Sequence, residues 1–390
     1  MGTSTLRRVA TATLVLASAW TGTAVAAAPA GATPAKVAKD APYAKPGPYA
    51  AGVTTLQLDD REVEVWYPAE KSAVKGRTRD SYYIRDWLPP AIQQLLAKVN
   101  PPFRTDAYRG VPSAKGRFPL IVFEHGFGGY RDQSTFLTTH LAQWGFVVAS
   151  PDFLERGLAA QLGGAPASPK PGLQVFDETV AAVRAANARK RGPLAGRVKP
   201  GKVGVTGHSA GARGTIEVAA ERSEQVAGYV PLAGAASGGV RNGVETPAIV
   251  PPPLPNVFIA GIQDGVIPIA GIQSYYADSV VAPKRAVWID GSGHLTAFSD
   301  ICAIGAGGGG VVAIARQAGL PVPENLARLG EDGCKPPALK PQQTWPITEH
   351  YTTALFRYAF RIDRKPVGLN AKAAAAFAPG VEVEYSQTLR

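Results

Sequence analysis

Short, nearly continuous apolar runs alternate along the chain with longer segments whose apolar residues recur every three or four positions. Leu120 to Phe123, Phe146 to Ser150, Lys202 to Thr206, Val226 to Leu232, Asn256 to Gly261 and Arg285 to Ile289 are the runs, and each reads as a strand. Between them, Ser134 to Trp144, Phe176 to Arg191, Ala210 to Glu221 and Gly271 to Val280 read as helices. In the second of these Phe176, Val180 and Val183 share one face. Strands apolar throughout, rather than at alternate positions, are buried on both faces. The pattern therefore predicts an α/β fold with a mostly parallel central sheet and helices on both faces. Ahead of it, Val53 to Leu58 and Glu62 to Tyr67 bracket Asp59-Asp60, and Val63, Val65 and Tyr67 alternate with Glu62, Glu64 and Trp66. That predicts an N-terminal antiparallel hairpin. Pro68 to Phe118 reads as irregular, with one short helix near Ala91 to Val99. Arg285 to Ile289 is expected to be the final core strand. Thr344 is expected to cap a helix running to Phe360, with Ile347, Tyr351, Leu355 and Tyr358 as its buried stripe.

Composition changes this picture mainly at the ends. The 390 residues, 45% of them apolar, can bury a substantial core, and no repeat or second domain is visible. Residues 1–26 carry Arg7 and Arg8, an apolar stretch from Val9 to Val25, and the cleavage-type Ala24-Val25-Ala26, so they read as an export signal. Residues 27–48 are rich in Ala, Pro, Lys and Gly and read as a flexible lead-in to a single domain over residues 49–390. No other long apolar run follows, which argues against stable membrane insertion once the signal is removed. The formal charge is +11, but its lysines and arginines are dispersed. The densest run, Arg189-Lys190-Arg191, ends a predicted helix, so a nucleic-acid partner is not expected. Cys302 and Cys334 are the two cysteines, and export predicts a disulfide between them.

Candidate chemistry centres on Gly207-His208-Ser209-Ala210-Gly211, which ends one strand and opens a helix. Glycines on either side of Ser209 permit a sharp turn that holds the hydroxyl above the sheet, where it reads as a nucleophile. A neutral hydroxyl needs a base and a third group to orient that base. Among five histidines, His294 follows the last expected core strand on the loose loop Asp290-Gly291-Ser292-Gly293-His294 and is the candidate base. His208 is expected to point away across the turn, and His125 to shape a glycine loop. Asp264, directly after strand Asn256 to Gly261, is the candidate acid. Asp290 and Asp152 are its rivals, and shaping a turn with Gly265 is its alternative role. The N–H groups of Ala210 and of Phe127, in Glu124-His125-Gly126-Phe127-Gly128-Gly129, are the candidate oxyanion hole. Gly305-Ala306-Gly307-Gly308-Gly309-Gly310 mimics a dinucleotide fingerprint but lacks a clear strand before it. No metal-ligand cluster is present, so no cofactor and no metal are expected.

These residues resemble the α/β-hydrolase superfamily. Within it, the stretch from Phe123 to Arg156, Trp144-Gly145-Phe146-Val147-Val148, and Gly291-Ser292-Gly293-His294 followed by Phe298-Ser299-Asp300 resemble four groups. These are the dienelactone-hydrolase-like enzymes, platelet-activating-factor acetylhydrolases, chlorophyllases and polyester-degrading cutinase-like hydrolases. Residues 233–242 offer no acid where the acetylhydrolases place theirs, and Asp264 matches the cutinase-like and dienelactone-type position. Ser209 stands where dienelactone hydrolases proper use cysteine. The resemblance implies an α/β-hydrolase fold and a secreted serine hydrolase cleaving carboxylic esters, with a small-molecule, lipid or polyester substrate. A catalytically silent binding protein on the same scaffold and an acyltransferase are the alternative readings.

Overall fold

The apolar runs pair into one ten-stranded sheet. The computed structural model describes residues 39–390 except 100, 165, 242–243 and 306–307, so the expected export signal and most of the lead-in lie outside the described residues. In chain order the strands are β1 (Ala50–Gln57), β2 (Glu62–Ala69), β3 (Ala107–Arg109), β4 (Leu120–Glu124) and β5 (Val147–Pro151). They continue with β6 (Val203–His208), β7 (Val226–Leu232), β8 (Phe258–Gly261), β9 (Lys284–Ile289) and β10 (Val383–Thr388). In space they run β10-β9-β8-β7-β6-β4-β5-β2-β1-β3. The block from β5 to β9 is parallel throughout. The hairpin β1–β2 pairs as expected across Asp59-Asp60 and joins that block antiparallel, β2 against β5.

Helices α1 (Pro90–Leu96), α2 (Thr135–Gln143), α3 (Gly172–Ala188), α4 (Ala210–Glu221) and α5 (Ile269–Ser279) are followed by α6 (Gly310–Gln317), α7 (Glu324–Glu331) and α8 (Pro341–Ala359). Alternate residues of the strands feed two faces. Ile121 and Phe123 of β4 pack with Leu137 and Leu141 of α2 and with Tyr351 and Leu355 of α8. Val122 of β4 packs on the other side with Phe176, Val180 and Val183 of α3. Both faces of the parallel block are therefore dry, as runs without polar alternation require.

Four boundaries differ from the sequence expectation. Arg285–Ile289 is the final core strand but not the last of the sheet, because β10 pairs antiparallel along β9; β10 is an edge strand, largely exposed, and shows no apolar run to read. The three-residue β3 extends the other edge from within the segment read as irregular. The lead-in packs well before residue 49: Ala41, Tyr43 and Ala44 are buried, and Tyr43 donates its N–H to Nδ1 of His350 at 3.2 Å. The described residues from 39 onward belong to one unit. Finally, α8 begins at Pro341 with Lys340 as its cap, where proline's missing N–H costs nothing, and Thr344 lies inside the helix. The basic run Arg189-Lys190-Arg191 lies just beyond α3.

Cys302 and Cys334 form the expected disulfide, 32 residues apart. It ties the turn Ile301–Ala303 to the chain just after α7 and so encloses α6 and α7, a constraint worth about 3 kcal/mol. The glycine run 305–310 follows that 3-10 turn rather than a strand, so no dinucleotide-binding unit surrounds it.

Candidate active site

The geometry of the pentapeptide follows from how closely β4 crowds it. Ser209 sits between β6 and α4 with φ 59° and ψ −117°, a backbone conformation that costs a non-glycine residue about 1–3 kcal/mol. Its N–H donates to Leu232 O at 2.9 Å, which anchors the turn to β7. A Cβ on Gly207 would lie 2.5 Å from Gly211 O, and one on Gly211 would lie 2.0 Å from Glu124 O. Only glycine fits at either place. The strained serine is thus held by an elbow wedged against the end of β4.

His294 and Ser209 line one cavity of about 260 Å³. Behind the imidazole, Nδ1 and Asp264 Oδ2 are 2.7 Å apart, both side chains fully buried. The other oxygen of Asp264 accepts from the N–H groups of Val266 and Ile267 at 2.9 and 2.7 Å. Asp264 therefore shapes its turn and meets the histidine with the same carboxylate. With Nδ1–H donating to Asp264, Nε2 is left as an acceptor, and it is buried with no hydrogen-bond partner among the described residues. No hydrogen bond joins it to Ser209 in this conformation; contacts of this type tighten as substrate binds. Asp290 instead accepts from Gln263 Nε2 at 2.6 Å. Asp152 is engaged by Arg131 and Trp87. Neither rival meets the ring.

Two backbone donors lie nearby: Ala210 directly follows the serine, and Phe127 lines the same cavity. Among the described residues, no acceptor engages the N–H of Phe127 or of Ala210. The loop carrying Phe127 is braced by His125, whose Nε2 accepts from Phe153 N–H at 2.8 Å and whose Nδ1–H donates to Gly126 O at 2.9 Å. Its role in shaping the loop is the expected one. Arg156 adds a second brace, since its O accepts from Gly128 N–H at 2.7 Å and its Nε donates to His125 O at 3.1 Å. Arg156 also pairs with the buried Glu124 at 3.0 Å.

His208 does not point away. The loop bearing His294 folds over it, with ring centroids 4.7 Å apart, and His208 Nε2–H donates to His294 O at 2.9 Å. Gln133 Nε2 donates to its Nδ1 at 2.9 Å, while Gln133 Oε1 accepts from Gly126 N–H at 3.2 Å. Burial holds His208 well below the ordinary imidazole range, so it stays neutral and can both donate and accept. Sequence reading also missed Asp332. Its Oδ1 accepts from His294 N–H at 2.6 Å and from Gly265 N–H at 3.3 Å, tying the loops of the histidine and the acid to one carboxylate. Its position, two residues before Cys334 on a separate segment, gave no local signal.

The buried titratable groups predict how stability varies with pH. Burial pushes His125 and His140 down to about 3 and His350 to about 4, against an ordinary 6.5. Between those limits the unfolded chain binds protons that the folded chain does not, so stability falls as pH falls. Burial pushes Glu124 up to about 7 and Glu349 to about 8, against an ordinary 4.5. There the folded chain holds protons that the unfolded chain has released, so stability falls as pH rises. The two slopes oppose each other only between pH 4.5 and 6.5. The thermal midpoint, followed by circular dichroism, is expected to peak in that window and decline on both sides; a midpoint climbing steadily from pH 6 to 8 would contradict these assignments.

Residues 105–275 match the family model described as the dienelactone hydrolase family, a stretch that holds Phe127, Ser209 and Asp264 and ends before His294. No curated protein matches the sequence. Among solved structures, the chain is similar to a ferulic acid esterase from Streptomyces cinnamoneus, with a TM-score of 0.56 and 20% identity over 88% of this chain and 99% of that one. At that identity the likeness is one of fold.

Proposed function

We propose, from the match of residues 105–275 to the dienelactone hydrolase family and from the fold shared with an esterase, that the chain is a carboxylic-ester hydrolase, a secreted serine enzyme working through an acyl-enzyme intermediate. One observation carries the reading: a strained serine shares a cavity with an imidazole whose Nδ1 is held by a buried carboxylate and whose Nε2 is unpartnered. Ser209 Oγ attacks the ester carbonyl carbon while its proton passes to His294 Nε2. Asp264 holds the productive tautomer and stabilises the imidazolium that forms. The N–H groups of Phe127 and Ala210 bind the oxyanion, a contribution of roughly 3 kcal/mol per donor. His294 then delivers the proton to the leaving alcohol, and water, activated by the same imidazole, releases the acid. The export signal and the disulfide support a secreted enzyme.

A fluorophosphonate probe tests the nucleophile directly. Covalent label is expected on the peptide carrying Ser209, mapped by mass spectrometry. Labelling confined to another serine, or none in active protein, would sink the proposal. Asp332 supplies a further expectation. Asp332→Ala frees two backbone N–H groups that position the histidine and acid loops. It is expected to lower kcat on the order of tenfold with little change in KM, because the group touches no substrate.

A further inference from the structure

We infer that the ester this site accepts carries an uncharged, unbranched aliphatic chain of medium length, which lies in the cavity leading away from Ser209. The inference rests on the serine-hydrolase reading above and adds the substrate class to it.

The cavity lining is mostly apolar. Ser209, His294 and the Phe127 loop contribute its reactive part. Leu88, Ile92 and Leu96 of the α1 region form one wall, and Val312, Leu326 and Leu329 of α6 and α7 form the other. The disulfide holds that second wall in place. Among the described residues, none that lines the cavity is an aspartate, glutamate, lysine or arginine. A carboxylate on the substrate would therefore be buried without a counter-charge. Two of the remaining polar side chains are already committed: Gln133 to Gly126 and His208, and His208 to Gln133 and His294 O. A hydroxylated aromatic acyl group would bury its hydroxyl against aliphatic walls, with Gln161 as the remaining polar side chain near it.

Size and rim point the same way. A cavity of about 260 Å³, against roughly 150 Å³ for one that takes the six carbons of benzene, holds a chain of roughly eight to ten carbons. The mouth is apolar too. Phe127 is 49% exposed and Leu162 41%, and both line the cavity. Large apolar side chains left in water beside an apolar cleft extend the surface on which a chain can rest.

Two substrate series test this, each below the concentration at which the longer members aggregate. One varies the acyl group of p-nitrophenyl esters from acetate to decanoate; the other varies the alcohol of alkyl acetates from methyl to octyl. Each methylene transferred from water to apolar walls favours the bound state by about fourfold. Full burial of only two or three of the added methylenes is enough to raise kcat/KM about thirtyfold from the shortest member to the eight-carbon one, and at least that rise is expected in one of the series. Methyl ferulate and a succinate half-ester are expected to fall at least tenfold below the octanoate. Ala315→Trp, which places an indole in the cavity from α6, is expected to lower the octanoate-to-acetate ratio at least fivefold.

A flat or falling profile in both series, a feruloyl ester faster than the octanoate, or a ratio unmoved by Ala315→Trp would overturn the inference. Ser209→Ala, run beside the wild type, separates the two levels. If it retains the acetate activity, the serine-hydrolase reading itself falls. If acetate hydrolysis depends on Ser209 but does not grow with chain length, the substrate class alone is wrong.

Discussion

Replacing Ser209 with alanine is expected to lower kcat on a p-nitrophenyl ester by about 10⁴-fold or more, leaving KM within severalfold of the wild type. The hydroxyl is the only atom lost, so the cavity and the backbone donors persist. Those donors still stabilise an oxyanion formed by water, which sets a floor of roughly 10³-fold over the uncatalysed reaction. The variant should also fold well. Alanine has no more difficulty than serine at φ 59°, and the Ser209 side chain makes no hydrogen bond that its loss would leave unsatisfied. Steady-state kinetics with circular dichroism as a folding control checks both halves. Activity within tenfold of the wild type would remove Ser209 from the reaction.

Changing Asp264 to asparagine is expected to cost nearly as much, about 10⁴-fold in kcat, for a reason visible in the turn around it. One carboxylate oxygen is held by the N–H groups of Val266 and Ile267, which only donate. An asparagine there must turn its carbonyl oxygen toward them and its NH₂ toward His294 Nδ1. Nδ1 then becomes the acceptor, the proton moves to Nε2, and the base that should receive the serine proton is already occupied. Asp290→Asn serves as the comparison. Asp290 accepts from Gln263 rather than from the histidine, so its loss is expected to change kcat by less than about threefold. Equal losses in the two variants, or a mild effect of Asp264→Asn, would mean that the carboxylate does not set the tautomer.

Both predictions rest on residues that could be picked out before any coordinates. The elbow was legible because glycine–x–serine–x–glycine between a strand and a helix reports a local need: two positions where a side chain cannot fit and one with positive φ. The central strands were legible because burial on both faces leaves no polar alternation. Edges were harder. Strand β10 is largely exposed and reads as polar, and β3 is three residues long, so neither carries a periodic signal. The lead-in was misread for a related reason. Its buried residues are small apart from one tyrosine, and that Tyr43 is held by His140 and His350 on helices about a hundred and three hundred residues away.

The chain's own order of apolar runs, glycines and cysteines determined the βα architecture, the turn that strains Ser209, the placing of His294 and Asp264 after strands, and the pairing of Cys302 with Cys334. Each of these is written in a few neighbouring residues or in a count. Tertiary structure alone decided which aspartate stands behind the imidazole and that His208 carries the carbonyl of His294. It alone decided that Arg156 and Asp332 brace the loops, and that α1, α6 and α7 close an aliphatic cavity over the serine. The reason is physical: those contacts join segments that meet only once the sheet has brought its C-terminal loops together, and a hydrogen bond across 38 or 86 residues leaves no periodicity for a sequence to display.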